Sequence, residues 1–311
     1  MEDSELWAVV TRPLSPDSRV EVPATVTEFL RVQEILEEED VRFPRVEYDG
    51  DRKVAIVVAA PSPCHGEMAG GLTSRIYDAA KSVPGLDANI RGRIYSSFKR
   101  SNLTNRGDTF TKRNWDGAIR YRSLEGNTKM VAVEVGLSQS YESLRAAISY
   151  SVSALRCSLG IAMCITEGDR GATPPKDLAI EQAELDLKAE VRNNPYGPLV
   201  LRGCTLFGRV SKVLLETFRQ GDDTCLPNTL LNPTQSFVIV QDGHYAGHDV
   251  PPNLAEVTLG DCIPPHILTG NSIRATPLNF LDEEWFEEIF QIAIFETAVE
   301  RFSDKHKVQP A

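Results

Sequence analysis

Two acidic residues on neighbouring predicted strands are the residues of this chain best placed to do chemistry. Asp116 opens one strand-like segment, and Glu134 interrupts the run Met130-Val-Ala-Val-Glu-Val135, which is otherwise apolar. Two carboxylates on one sheet face can hold a divalent cation such as Mg²⁺ or Mn²⁺, and the cation offsets the cost of burying them. The other interpretation is a solvent-facing glutamate on an edge strand, and spacing alone leaves both open.

The pairing of the two strands decides whether the carboxylates meet. A hairpin centred near Gly126 would pair Asp116 with Gly136 and Ala118 with Glu134. As diagonal neighbours the two acids would then lie within about 7–8 Å of each other at the backbone. We therefore expect one face of the sheet to carry both.

A basic stretch between Arg91 and Arg122 has the residues needed to grip a phosphate backbone. It holds nine basic and two acidic residues in a chain of formal charge −11, so the remainder is strongly acidic. Aromatic residues are interleaved with it, and their rings offer stacking surfaces for bases. The alternative is a solvated basic loop. The residues expected to contact nucleic acid, either DNA or tRNA, are Arg91, Arg93, Lys99, Arg100, Lys112, Arg113 and Arg120.

Composition excludes several classes of protein. With 41% hydrophobic and 25% charged residues, the chain is typical of a globular protein rather than a disordered one. Its longest apolar run, Val54–Ala60, is shorter than the ~20 residues of a membrane span, so we expect no membrane partner. The first residues are acidic where a secretory signal would be basic, which predicts an intracellular protein, cytoplasmic or nuclear. The six cysteines form no C-x-x-C pair, which favours reduced thiols. The oligomeric state stays open.

Periodicity predicts the elements that must position these residues. Helical spacing of apolar residues and period-two runs bounded by Gly, Pro or Asp give a consistent order of segments. The predicted helices are 22–40, 65–81, 141–155, 177–191 and 282–302, and the predicted strands are 45–48, 53–58, 90–99, 116–122, 130–136, 159–165, 199–219 and 236–241. From the second helix to residue 165 the order is α-β-β-β-α-β.

This order and two short motifs resemble the core of the PD-(D/E)XK restriction-endonuclease-like superfamily. The motifs are Asp116-Gly-Ala-Ile119 and Val131-Ala-Val-Glu-Val-Gly-Leu-Ser-Gln-Ser140. Together with Val46-Glu-Tyr48 and Pro61-Ser-Pro-Cys-His65, they are more narrowly similar to filamentous-fungal proteins of that fold. The resemblance implies an α/β fold with a mixed sheet, a core at 44–167, an N-terminal helical extension at 1–43 and a C-terminal elaboration at 168–311.

The resemblance also implies roles for individual residues. Asp116 and Glu134 would hold the divalent metal of a nuclease, and Glu67 on the first core helix would assist them. The lysine that follows the glutamate by two positions in the family is missing, because Gly136 stands there. Gln139 is the first substitute, and Arg145, one helical turn further on, is the second. This departure leaves three functions open: a nuclease, an altered enzyme, or a nucleic-acid-binding module whose metal site has decayed.

A second resemblance belongs to another reaction. Fungal arginine-containing cyclodipeptide synthases of secondary metabolism use aminoacyl-tRNA and carry a D-D-x-x-E motif. The segment Glu283-Glu284-Trp-Phe-Glu287 is similar to that motif. In this interpretation the basic stretch would hold tRNA, and a carboxylate would take a proton from the attacking amine. The structural alternative is the acidic first turn of an amphipathic helix. His65, at a strand-to-helix junction, is interpreted as a helix-start residue.

Overall fold

A computed structural model describes most of the chain. It covers residues 4–41, 43–98, 101–106, 109–124, 126–137, 140–169, 178–220, 230–268 and 271–307, without the side chains of 101–106, 109, 110, 113, 271 and 305–307. The elements begin, in chain order, with α1 Glu5–Thr11, β1 Arg19–Pro23, α2 Val26–Glu38, β2 Arg45–Asp49, β3 Val54–Val58, α3 Pro63–Lys81, α4 Ala88–Arg93, β4 Ile94–Phe98, β5 Ser101–Arg106, β6 Thr109–Asn114, β7 Gly117–Ser123 and β8 Gly126–Leu137. They continue with α5 Tyr141–Ser153, β9 Leu159–Glu167, α6 Ile180–Asn193, β10 Leu199–Leu201, β11 Cys204–Phe207, β12 Val210–Phe218, β13 Gln235–Gln241, β14 His244–Tyr245, a 3-10 turn Leu259–Asp261, α7 Asn271–Arg274 and α8 Glu283–Lys307.

The chain forms two compact units, each assembled from separate segments. Unit 1 comprises residues 1–62 and 99–115, and unit 2 comprises 63–98 and 116–311. These units differ from the three expected segments, because β2 and β3 do not join the strand that carries Glu134. They pair instead within unit 1, where β2 also pairs with β6.

Unit 1 is a five-stranded sheet in the order β1-β3-β2-β6-β5, with helices that pack on it. Helix α2 begins at a capping box in which Thr25 and Glu28 satisfy each other's backbone N–H groups. Its apolar stripe is buried, and Phe29 stacks on Tyr48 of β2 at 5.1 Å between ring centroids. A buried Glu47 on β2 accepts hydrogen bonds from Arg19 and from the Asn114 backbone N–H, which fixes β6 beside β2.

Unit 2 is an α/β unit built on a mixed seven-stranded sheet. The strand order is β14-β13-β12-β9-β8-β7-β4, and β8 pairs with β9 in parallel while the other pairs are antiparallel. Helix α5 makes the crossover that a parallel pair requires. Within this unit the order α3, β4, β7, β8, α5, β9 reproduces the expected α-β-β-β-α-β, apart from the short helix α4. The α/β class predicted from the sequence is therefore confirmed.

Helices cover both faces of this sheet. On one face, α3 packs against α8, and a Cβ at Gly71 would lie 3.0 Å from Ile289. On the other face, α5 packs on Gly160 so closely that a Cβ there would lie 2.6 Å from Ile148. We call this second surface the α5 face. Small residues at these points let the helices approach, and the apolar residues around them form the core.

Most predicted elements are confirmed, with boundaries shifted by a few residues. The helices α2, α3, α5, α6 and α8 and the strands β2, β3, β7, β8, β9, β12 and β13 lie where the pattern predicts them. The strand predicted at 90–99 is wrong in its first half, because Asp87 accepts the backbone N–H groups of Asn89 and Ile90 and so starts helix α4. Helix α1 and strands β1, β5 and β6 were not predicted.

The sequence predicts no membrane span and reduced cysteines. Among the described helices, none combines the length and the apolar character that crossing a bilayer demands. The described cysteines, Cys64, Cys157, Cys164, Cys204 and Cys262, are free thiols, and all except Cys164 are buried. This agrees with the expectation of reduced cysteines.

Candidate active site

The register of β7 and β8 differs from the predicted one by two residues. Gly117 pairs with Val133 and Ala118 with Ala132, so the predicted pair of Ala118 with Glu134 is wrong. The physical reason is that the turn lies between Ser123 and Gly126 and is not centred at Gly126, and the extra residue in β8 offsets only part of this shift. The observed register brings Asp116, the residue before Gly117, level with Glu134 itself.

Asp116 lies just before the first residue of β7, beside β8. Its Oδ2 accepts a hydrogen bond from the Val135 backbone N–H at 2.9 Å, so its carboxylate sits next to the residue that follows Glu134. The same oxygen lies 3.0 Å from His65 Nε2, at the start of α3. The side chains of His65 and Asp116 are 15% and 25% exposed, which leaves the pair within reach of solvent. His65 thus orients Asp116, a contact that the sequence did not predict.

Glu134 is a buried carboxylate on the α5 face. It is 5% exposed and pairs with Ala162 of β9, which belongs to the apolar cluster under α5. Its charge acts on Lys129 of the same strand: burial lowers the pKa of Lys129, and Glu134 is among the groups that oppose this lowering. The edge-strand alternative for Glu134 is wrong, because β8 lies between β7 and β9.

The remaining residues implied by the resemblance do not join Asp116 and Glu134 in the described contacts. Glu67 acts on Glu296 of α8, where its charge adds to burial in raising the pKa of Glu296. Gln139 lies outside the described residues. Arg145 donates to the Leu231 carbonyl at 2.6 Å and to Asn232 at 2.7 Å, so its guanidinium holds a loop and does not replace the missing lysine.

A second buried carboxylate occupies the same row of the sheet. Glu134 pairs with Ala162, and Ala162 pairs on its other side with Glu216 of β12. Glu216 accepts hydrogen bonds from the Tyr141 hydroxyl at 2.7 Å and the Ser236 hydroxyl at 2.9 Å. Burial and the bond to Glu216 raise the pKa of Tyr141 to about 12. Sequence periodicity gave no signal that distinguished Glu216 from its apolar neighbours in β12.

The predicted nucleic-acid-binding residues are divided between the two units. In unit 2, Arg91 donates to the Val83 and Leu86 carbonyls, and Arg93 hydrogen-bonds Tyr121. Arg120 lies over the Tyr95 ring, as does the exposed Arg122. In unit 1, burial lowers the pKa of Lys112, against the opposing charge of Glu37. Lys99, Arg100 and the side chain of Arg113 lie outside the described residues. The basic stretch is therefore not a single loop.

The acidic segment of the second resemblance opens helix α8. Glu283 and Glu284 are exposed in its first turn, and Glu283 contacts His248 at 3.2 Å. Glu287 accepts a hydrogen bond from Gln291 one turn later. These contacts are those of a helix start on a solvated surface, and the cyclodipeptide synthase stays a prediction.

Among the described residues, Asp116 and Glu134 are the two carboxylates that the strand register brings level with each other. In the part of the chain that the structure describes, no group of three or more His, Cys, Asp or Glu side chains is arranged to hold a metal ion. Mg²⁺ needs fewer protein ligands than that, because it commonly takes one or two carboxylates and completes its shell with water and substrate phosphate. The pair of Asp116 and Glu134 fits this requirement.

Comparison with known proteins identifies no family for this chain. It matches no protein-family model, no curated protein and no solved structure.

Proposed function

We propose that unit 2 is a metal-dependent enzyme that cleaves phosphodiester bonds of a nucleic acid, with a core of the PD-(D/E)XK type. The observation that carries the proposal is the hydrogen bond from the Val135 N–H to Asp116, which holds one carboxylate beside the strand position of Glu134. Both residues lie in an α-β-β-β-α-β order of elements. The alternatives of DNA and RNA substrates stay open within this proposal.

Each residue of the site has a defined task in this reaction. Asp116 and Glu134 would hold Mg²⁺ or Mn²⁺. When bound, such an ion lowers the pKa of a coordinated water and stabilises charge on the phosphoryl oxygens. The hydrogen bond from the Val135 N–H fixes the Asp116 carboxylate in one orientation, as such bonds to metal-ligating carboxylates generally do, and His65 lies 3.0 Å from the same oxygen. The burial of Glu134 under α5 keeps its side chain from rotating away.

Nucleases of the PD-(D/E)XK superfamily use a lysine two residues after the glutamate to position the attacking water, and this chain has Gly136 at that place. In the described part of the chain, Lys129 is the buried lysine nearest in sequence to Glu134 on this strand, and its charge and that of Glu134 act on each other. We assign to Lys129 the positive charge of the site. Lys129 lies five residues before Glu134, whereas the family's lysine lies two residues after the glutamate. Lys129 would therefore contact a phosphate of the substrate other than the one that reacts.

The test is cleavage of nucleic acid by the purified full chain. Supercoiled plasmid, single-stranded DNA and total tRNA are incubated with Mg²⁺, with Mn²⁺ or with EDTA, and products are resolved by gel and by mass. Wild type is compared with Glu134→Gln and with Glu216→Gln, a matched variant that changes the other buried carboxylate of the same row. Circular dichroism and thermal melting verify that all three are folded.

We expect metal-dependent cleavage that Glu134→Gln slows by on the order of 100-fold or more, the size of a lost transition-state contact. Glu216→Gln should stay within a few-fold of wild type, since its partners are neutral hydroxyls. Equal rates in Glu134→Gln and wild type, or no cleavage of any substrate by folded wild type, would overturn the proposal. A new dipeptide mass released from charged tRNA would point to the cyclodipeptide synthase instead.

A further inference from the structure

A second polar cluster lies on the α5 face of unit 2, at the opposite end of β8 from Glu134. Three of its members form one row across the strands: Tyr95 of β4 pairs with Arg120 of β7, which pairs with Lys129 of β8. Ser97 of β4 lies one same-face step along, opposite Ala118, and Ser151 reaches the row from α5. We call these five residues, Tyr95, Ser97, Arg120, Lys129 and Ser151, the cationic cluster.

A β-bulge places Lys129 in this cluster. Ile119 pairs with Val131 and Arg120 pairs with Lys129, so Met130 is an extra residue in β8. Met130 and Val131 both pack in the core on the α3 side, and the alternation of faces restarts at Lys129. As a result Lys129 points to α5, where its Nζ lies 3.4 Å from the Ser151 hydroxyl. Strict alternation would have placed Lys129 among apolar residues on the other face.

Positive charge is concentrated here in a buried position. Lys129 is 6% exposed, and burial lowers its pKa, with the nearby charge of Arg120 acting in the same direction. Arg120 and the exposed Arg122 both lie over the Tyr95 ring, at 5.9 Å and 5.3 Å from its centroid. An anion bound beside Arg120 and Lys129 would compensate the repulsion between their positive charges. Because Arg122 is exposed, the anion would enter from the surface that carries Arg122.

Several polar atoms of the cluster are buried without a hydrogen-bond partner. Among the described residues, this holds for the Tyr95 hydroxyl, the Ser97 hydroxyl and Arg120 Nε. Ser97 is 8% exposed, so bulk water does not compensate it. Buried donors in native proteins are satisfied almost without exception, and unsatisfied ones that gather on one surface indicate a ligand. Guanidinium, ammonium and hydroxyl donors together match the oxygens of a phosphate group.

We propose that the cationic cluster is a phosphate-binding subsite for the nucleic-acid strand that Asp116 and Glu134 cleave. The inference rests on the proposed function for the identity of the ligand. Lys129 and Glu134 are separated by roughly 13 Å of strand at 3.3 Å per residue once the bulged residue is discounted. The phosphate at the cluster is therefore a different one from the phosphate that reacts, and the cluster fixes where along the strand cleavage occurs.

The experiment measures binding without catalysis. A fluorescein-labelled single-stranded octadeoxynucleotide is titrated with the full chain in EDTA, and anisotropy gives Kd at several salt concentrations. The test variants are Arg120→Gln and Lys129→Met, and the matched control is Arg192→Gln, which removes one positive charge from an exposed position on α6. Glu134→Gln is included to separate this subsite from the carboxylates. Circular dichroism verifies folding, and Arg120→Gln decides alone should Lys129→Met not fold.

We expect each test variant to weaken binding at least about tenfold, the effect of losing hydrogen bonds to a charged group, and to lower the salt slope by about one. Arg192→Gln should stay within twofold, and Glu134→Gln should bind equally or more tightly. Test variants that bind as tightly as Arg192→Gln, or wild type that does not bind at all, would overturn the subsite. Binding that depends on the cluster in a protein that cleaves nothing would keep the subsite and reject the proposed function. If the protein cleaves nucleic acid but its test variants bind as tightly as wild type, the proposed function is kept and the subsite is rejected.

Discussion

Two buried carboxylates on one sheet face have opposite surroundings. Glu216 is bound by two neutral hydroxyls, those of Tyr141 and Ser236, so its charge is fully accommodated by its own neighbours. Glu134, on the other side of Ala162, precedes the residue whose backbone N–H binds the Asp116 carboxylate, and its charge acts on a buried lysine. The first arrangement stabilises a fold, whereas the second concentrates charges that a substrate or a metal could use. Burial alone therefore does not identify a functional carboxylate.

The largest effect should come from disturbing the helix that covers both carboxylates. Gly160→Val would drive a side chain into Ile148 and Val152 of α5, because even a Cβ lies 2.6 Å from Ile148. Overpacking of this kind costs about 3 kcal/mol of unfolding free energy. Urea unfolding measures it, and Gly70→Ala in α3, where a Cβ meets nothing within 4 Å, is the control. If Gly160→Val lowers the unfolding free energy no more than the control does, the packing of α5 on the sheet does not stabilise the surroundings of Glu134 and Glu216.

The next largest effect is a difference in unfolding free energy between variants of the two buried carboxylates, Glu216 and Glu134. Glu216→Ala leaves two hydroxyls without their acceptor and should lower the unfolding free energy by about 2 kcal/mol. Glu134→Ala removes a buried charge and should cost at least about 1 kcal/mol less. Chemical denaturation of both variants gives the difference, and equal losses would remove the distinction between the two regions.

A smaller effect of opposite sign is expected at Lys129, the buried lysine at the other end of β8 from Glu134. Because burial lowers the pKa of Lys129, the fold penalises its protonated form below that pKa, and the penalty disappears as pH rises towards the ordinary lysine value. Lys129→Met should therefore raise the unfolding free energy at pH 7 by about 1 kcal/mol. It should also flatten the rise of stability with pH that wild type shows on the alkaline side. Lys212→Met on the half-buried part of β12 is the matched control, and a destabilised Lys129→Met would contradict the expectation.

The smallest effect belongs to the hydroxyl that binds Glu216. The pKa of Tyr141 is raised from 10.0 to about 12, so its contribution to stability is complete below pH 10 and is lost as pH rises through about 12. Tyr141→Phe should lack this alkaline part of the stability curve and run parallel to wild type between pH 6 and 8. Thermal melting across pH measures both. A wild-type curve identical in shape to that of Tyr141→Phe at high pH would speak against the bond to Glu216.

Local patterns predicted the elements that carry the site but not their exact alignment. Helices α3 and α5 and strands β8 and β9 follow from periodicity because each buries a long apolar face. The bulge at Met130 could not be predicted, since it depends on the pairing of β7 with β8. The two-residue error in the predicted partner of Glu134 has another cause, the position of the turn, because Ser123 pairs with Gly126.

Contacts between residues distant in sequence account for the other omissions. His65 was interpreted only as a helix-start residue, because nothing local reveals that Asp116 lies beside it. Strands β5 and β6 were interpreted as a basic stretch, since the polar sequence of β6 becomes a strand only when Lys112 pairs with Tyr48 of β2. The concentration of basic residues is visible in the sequence, but their division between two units required the structure.

The excursion of β5 and β6 into the sheet of unit 1 determines the order in which the chain can be completed during synthesis. The sheet that begins with β1 lacks two of its strands until residue 114 has left the ribosome, although β2 and β3 are made much earlier. Unit 2 already has α3 and β4 by then, but it waits for β7 and β8 before its sheet can form. A nascent chain stopped between residues 63 and 98 would therefore expose an unfinished sheet edge on β2, and no cut at a single peptide bond separates the two units intact.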